Sequence, residues 1–347
     1  MAANFVVDVR LGWSQVETTQ VQTVKETNAD VDSPNSPDNP NGLFRFVDHP
    51  GQFLDIESGG QKKVRLVYQR RDGSSEASHY LTYKPFHQVF DPATGTTLLT
   101  SGVHPPEENP QYPHHRGLFF GFNKIQYDGL KADTWHCTNN VYTQVESISE
   151  QSTHEDHCRL TTVIGWYGPD GVKFAQENRT VVLHDYPDGI LLDWSTELTT
   201  ERDKVTLDGD PQHAGFHFRA NQEVARSTAK HTWYVRPDGV GLPGETRNWN
   251  PQSRDPKTIN LPWNAVSFMV ADRRFSVLRI GHPENPGETR GSERDYGRFG
   301  DYFEFQLTPT NPLRLKYRLL VIEGELSVER AEQVAAQFRQ RDVPAGS

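Results

Sequence analysis

Two short clusters in the chain set histidine and arginine beside glycine and aromatic residues. The first is Tyr112-Pro-His-His-Arg-Gly-Leu-Phe-Phe-Gly-Phe122, and the second is Gly209-Asp-Pro-Gln-His-Ala-Gly-Phe-His-Phe-Arg219. Imidazole gives or takes a proton near neutral pH, and guanidinium offers a rigid planar fork to carboxylate or hydroxyl oxygens. One such histidine is often only a structural residue tied to loop carbonyls. The same chemistry repeated a hundred residues apart reads instead as two walls of one pocket for a polar, oxygen-rich ligand.

Alternation assigns roles within the clusters. If Gly215 to Arg219 is extended, then Gly215, His217 and Arg219 line one face, while Phe216 and Phe218 turn to the other and bury. His115 and His217 are the acid/base candidates, and His114, Arg116, His213 and Arg219 are candidate ligand-binding residues. Further along, the run from Ser292 to Gly300 reads as a charged, glycine-broken loop that would present Glu293, Arg294, Tyr296 and Arg298. A solvated loop held by its own ion pairs reads equally well there. Glu304 shares the Tyr302 face of an expected strand and is a weaker candidate for the catalytic carboxylate. Trp135, Trp249 and Trp263 could stack on sugar rings or serve as core.

No metal ligand is assigned and the cofactor is left open. The row His213-x3-His217-x5-Glu223 has the residue types of a two-histidine, one-carboxylate site, and this carries a metal-dependent oxygenase as a minor reading. His114 and His115 are adjacent, so in a strand they diverge and could share an ion only across a turn. There is no P-loop, dinucleotide fingerprint, Gly-x-Ser-x-Gly elbow or His-Glu-x-x-His helix, so ATP- or NAD-dependent chemistry has no support.

The elements that must position these residues are strands. The 347 residues include 27 glycines, 23 prolines and only two methionines, a mix that suits many strands joined by tight turns. Alternating segments recur throughout, among them Leu118–Phe122, Leu160–Tyr167, Gly189–Trp194, Val266–Val270 and Leu313–Val321, without a fixed period. The fold class expected is mainly β, a large antiparallel β-sandwich in one domain spanning 1–347. The Pro/Asn/Asp-rich stretch 29–42 is expected as an exposed loop, and 327–341 as a C-terminal helix. Ser327 is its N-cap, Arg330 its N3 residue, and Val328, Ala331, Val334, Ala335 and Phe338 its apolar stripe.

A formal charge of −10 speaks against a nucleic-acid partner. No run nears the roughly 18 apolar residues of a membrane span. The N-terminus lacks the basic and apolar regions of a signal peptide, which leaves a cytoplasmic protein and an exported one with its leader removed both open. Cys137 and Cys158 could pair across strands or remain buried thiols.

Tyr83-Lys-Pro-Phe-His-Gln-Val-Phe-Asp-Pro-Ala-Thr-Gly95 followed by Pro113-His-His-Arg-Gly-Leu-Phe-Phe-Gly121 resembles a bacterial family of unknown function often labelled "methane oxygenase PmoA". That family's hallmark is a His-Pro-His-His-Arg-Gly-Leu-Trp-Phe-Gly-His run. Asp210–Arg219, Arg294–Gly300 and Leu313–Val321 extend the resemblance from about residue 40 to the end. In this chain His104-Pro105 is separated from the histidine pair by an insertion, Phe119 replaces the tryptophan, and Phe122 stands where the family often has histidine. The family is common in bacteria that degrade complex polysaccharides. Its strand pattern resembles the galactose-mutarotase-like supersandwich, in which a concave sheet handles sugars. The resemblance therefore implies a carbohydrate-active enzyme, an epimerase, lyase or hydrolase, with a small-molecule or glycan ligand. The alternative is a non-catalytic carbohydrate-binding module.

Overall fold

A computed structural model of the chain describes residues 43–340, all within one compact unit. The expected strands before residue 43, the 29–42 loop and the single-domain reading of 1–347 reach outside the described residues.

Two large sheets dominate, and all named strand pairs are antiparallel. The eight-stranded sheet runs, in spatial order, Phe44–His49, Phe53–Ser58, Gln61–Val67, Phe86–Val89, Leu118–Phe122, Ala214–Arg219, Arg298–Tyr302 and Arg290–Arg294. The nine-stranded sheet has Leu313–Glu323 near its middle, flanked by Arg273–Gly281 and Ile190–Thr199, and ends in the long hairpins of Lys173–His184, His157–Tyr167 and Tyr142–Thr153. A small four-stranded sheet joins Phe305–Leu307, Val205–Asp208, Lys124–Tyr127 and Leu130–Ala132.

The alternation read from the sequence sets the core. Phe120, Phe122, Phe216, Phe218 and Phe299 of the eight-stranded sheet bury with Trp166, Val181, Leu192, Trp194 and Tyr317 of the nine-stranded sheet. Phe216 stacks between Trp194 and Tyr317, with ring centroids at 4.3 and 4.7 Å. Burying such a side chain contributes about 1.5–3 kcal/mol.

The nine-stranded sheet uses its other face too. Leu278, Ile280, Leu320 and Ile322 there pack under the helix Val328–Gln340, whose Ala331, Val334, Ala335 and Phe338 are buried. Ser327 Oγ accepts from the Arg330 N–H at 3.2 Å, the capping bond expected of these residues. Among the described residues no helix is long and apolar enough to cross a membrane. Cys137 and Cys158 are both buried free thiols.

One segment departs from expectation. The stretch read as a charged loop forms a hairpin, Arg290–Arg294 with Arg298–Tyr302. Two of its charges turn inward: Glu293 is buried against Arg236, and Arg298 is fully buried.

Candidate metal centre

The site is built on the face of the eight-stranded sheet that turns away from the core. Register sets His217 between Phe119 and Gly300, and Arg219 beside Arg298. Gly300 is required there, because a Cβ at that position would strike the His217 ring. This face is roofed rather than open. Trp135 is fully buried and stands edge-on to His217 at 4.8 Å and tilted against Phe119 at 4.7 Å.

Three loops bring three histidines together at the rim of that roof. One ring nitrogen from each of His114, His136 and His213 lies within 4.8 Å of the other two. Two of the rings are oriented by carboxylates: His136 Nδ1 is 2.8 Å from Asp133 Oδ2, and His213 Nδ1 is 2.8 Å from Asp210 Oδ1. An Nδ1–H donated to a carboxylate fixes the tautomer that leaves Nε2 with a free lone pair, as in metal-ligating histidines. The two arms share one local design. Asp133 Oδ1 accepts the Trp135 and His136 backbone N–H groups, and Asp210 Oδ1 accepts that of Gln212, so each aspartate clamps the turn that carries its histidine.

Electrostatics suit a cation-binding role. Burial, reinforced by His136, Lys84 and His213, pushes His114 down to about 2, so it stays neutral and keeps its lone pair. Burial raises the Asp210 carboxyl, but hydrogen bonds from His213 and the Gln212 N–H outweigh this and hold it below the usual carboxylate range. Three imidazoles, two of them with carboxylate support, fit a divalent first-row transition ion better than magnesium or calcium, which prefer oxygen.

Of the two acid/base candidates, His115 stands next to the triad, its ring 4.1 Å from that of His114 and 6.2 Å from that of His213. It is buried, and neither ring nitrogen has a hydrogen-bond partner among the described residues. His217 is fully engaged: Nε2 lies 2.8 Å from the Ala214 carbonyl and Nδ1 lies 3.2 Å from Arg298 Nη1. Burial holds both rings well below the ordinary histidine value.

The remaining predicted residues divide into two groups. Tyr296 stacks on Tyr112 at 4.3 Å and lies under the Arg219 guanidinium, 4.7 Å from ring to cation. Arg219 and Arg298 lie fully buried near His115. Arg116 serves the roof instead: it donates to the Tyr80 and Pro113 carbonyls and lies 4.0 Å over the Tyr83 ring. Arg294 donates to Asn248 Oδ1. The strand expected through Glu304 breaks after Tyr302, and the Glu304 carboxylate accepts from Arg290 and Tyr302, not from a histidine. Among the described residues it is His114, His136 and His213 that converge, not the His213–His217–Glu223 row, and Glu223 accepts the Ala271 N–H. Trp263 belongs to the core beneath the terminal helix, and Trp249 is half-buried against Tyr302 and Arg290.

Two residues of the site were not singled out from sequence. His136 is the second arm of the triad, and the spacing Asp133-x2-His136, repeated as Asp210-x2-His213, was the available signal. Lys84 is fully buried, donates to the Trp135 carbonyl, and is lowered by burial to about 8. Phe122 faces the core against Phe120 and Phe303, so a side chain at that position points away from the triad.

A surface cleft of about 470 Å³ between Lys173–Gln176 and Thr199–Arg202 holds none of these residues.

The chain is similar in structure to several solved proteins, all at low identity. A GH36 alpha-galactosidase from Geobacillus stearothermophilus matches with a TM-score of 0.42 and 9% identity over 85% of this chain, which spans 43% of that protein's length. A Klebsiella pneumoniae protein provisionally described as an aldose 1-epimerase gives a TM-score of 0.43 and 8% identity, covering 88% of this chain and 90% of that one. A galactose mutarotase related enzyme from Lactobacillus acidophilus gives 0.37 and 10%, covering 82% and 98%. No curated protein sequence matches the chain. A family profile does match, over residues 54–336, and on that match the chain belongs to DUF6807, a family of unknown function.

Proposed function

We propose that the protein is a metal-dependent enzyme acting on an oxygen-rich substrate of the carbohydrate class, with His114, His136 and His213 as the metal ligands. The observation that carries this reading is the convergence of three ring nitrogens within 4.8 Å, two of them on rings aimed by Asp133 and Asp210. A bound divalent ion would supply Lewis acidity toward a substrate hydroxyl or carbonyl oxygen.

This chain's own residues do the rest. Asp133 and Asp210 hold two imidazoles in the tautomer that presents Nε2. Buried Trp135 and Phe119 close the ground beside the triad against water. Neutral His115, beside His114 and without a partner of its own, is placed to take or give a proton at the substrate. His217 is tied down on both nitrogens and acts as a positioning residue that orients Arg298.

The test is metal analysis of protein purified without a metal-affinity tag, repeated after reconstitution with zinc, manganese, iron or copper. Wild type is expected to hold one transition ion per chain. His136→Ala and His213→Ala should lose it, and His115→Ala should keep it while losing turnover of any sugar substrate identified. Stoichiometric metal in folded His136→Ala would overturn the ligand assignment.

A further inference from the structure

The described part of this protein pairs several of its buried guanidinium groups with carboxylates. Arg236 pairs with Glu293 at 2.5 Å, Arg279 with Asp301 at 2.7 Å and Arg179 with Glu177 at 2.7 Å, all within the interior. Three fully buried arginines have no such partner among the described residues: Arg116, which donates to the Tyr80 and Pro113 carbonyls and lies over the Tyr83 ring, and the pair Arg219 and Arg298. Arg219 and Arg298 are register partners on adjacent strands. Like charges in such a pair repel, and a buried cation without a counter-charge is strongly destabilising.

Their hydrogen bonding leaves a defined gap. Arg219 spends Nη1 on the Ala220 and Tyr296 carbonyls, and Arg298 spends Nη1 on Ser292 Oγ and His217. Nε and Nη2 of both side chains have no partner in good hydrogen-bonding geometry, although the Tyr296 side chain lies close to Arg298, and neither ring nitrogen of neighbouring His115 has one. The unmet guanidinium atoms are all N–H donors. What satisfies a row of unmet donors and two cations is an acceptor-only anion, and a carboxylate fits the planar fork of guanidinium.

We propose that Arg219, Arg298 and His115 form a binding site for the carboxylate of the substrate, so that the substrate is a hydroxycarboxylic acid, in carbohydrate terms a sugar acid. The assignment of this acid as the substrate rests on the metal-enzyme reading above, because His115 links the arginines to the histidine triad; the anion site itself does not. The cost of burying two unpaired guanidinium groups is then recovered when the acid binds, and the site discriminates against neutral sugars because these cannot discharge it.

The experiment uses the full chain stripped of metal, so that no carboxylate can bind through an ion. D-glucuronate, D-galacturonate and D-gluconate are titrated calorimetrically beside D-glucose, D-galactose and D-glucitol, with sodium sulfate as the inorganic anion. At least one acid is expected to bind ten times or more tighter than its neutral counterpart and than sulfate. Arg219→Lys and Arg298→Lys, which keep the charge but lose the fork, should each weaken that acid at least tenfold and leave the neutral sugar within twofold. If one variant does not fold, the other decides. Equal binding of acids and neutral sugars, sulfate as tight as the acids, or unchanged acid affinity in the folded lysine variants would each overturn the proposal. Acid preference in a protein that takes up no metal would sink the metal reading and leave this site standing. Stoichiometric metal without acid preference would do the reverse.

Discussion

His213 holds its Nδ1 2.8 Å from the Asp210 carboxylate, and through that bond a loop aspartate decides which nitrogen of the ring is free. Asp133 does the same for His136. Two arms of the triad are thus set by local turns, so each can be tested separately from the sheet below.

Asp210→Asn should keep the fold and weaken metal binding. An amide oxygen can still accept from Nδ1, but without the charge that raises the basicity of the ring. Loss of such an outer partner costs about 10–100-fold in metal affinity. Zinc titration in competition with a chromogenic chelator reads this directly, and an unchanged affinity would show that Asp210 serves only the loop.

Gly117→Ala should destabilise the protein and disturb His114 together. Gly117 has φ +57°, and a Cβ there would fall on the His87 carbonyl oxygen, so the main chain must move. Strain of this kind costs about 1–3 kcal/mol from the dihedral alone, before the clash is added. Chemical denaturation should show a loss of at least that size, with metal affinity reduced in the protein that remains folded.

Acid should destabilise the metal-free protein earlier than carboxylate titration would. Burial holds His87, His115 and His217 well below their ordinary value of 6.5. The unfolded chain takes up a proton on each ring as the pH drops through 6.5, while the folded protein does not. Their contribution is therefore complete above pH 6.5 and is lost as the pH falls toward their folded values. The slope approaches about 1.4 kcal/mol per pH unit for each histidine. Urea unfolding at pH 7.5 and 5.5 should show a clear drop, and equal stabilities would contradict the burial of these rings as neutral groups.

Glu293→Gln should be among the most damaging single changes outside the site. Its carboxylate accepts from Arg236, Asn264 and the Arg247 N–H in the interior. Removing the charge leaves Arg236 buried without its partner, at a cost of about 3–5 kcal/mol. A denaturation midpoint close to wild type would mean that Glu245, which also approaches Arg236, compensates.

Local pattern made much of this legible from sequence, and tertiary pairing made the rest opaque. Alternation placed Phe216 and Phe218 in the core and His217 and Arg219 on the opposite face. Helical spacing and Ser327 placed the terminal helix and its buried stripe. The 290–302 hairpin was hidden because its charges look solvated until Arg236, from a distant strand, is seen to neutralise Glu293. Glu304 was expected to extend a strand, but the chain breaks there and the side chain pairs with Arg290 near the surface. His136 was missed because no arginine or glycine stands beside it as in the other clusters. Only comparing the two Asp-x2-His turns would have joined it to His213, and His114 reaches them by a turn whose direction the sequence does not encode.

The most direct test of the central claim is anomalous diffraction from crystals grown with a stoichiometric transition ion. A single peak bounded by His114, His136 and His213, with Asp133 and Asp210 still bonded to the outer nitrogens, is the predicted result. A peak at His115 and His217, or no ordered ion at the triad at full loading, would contradict it.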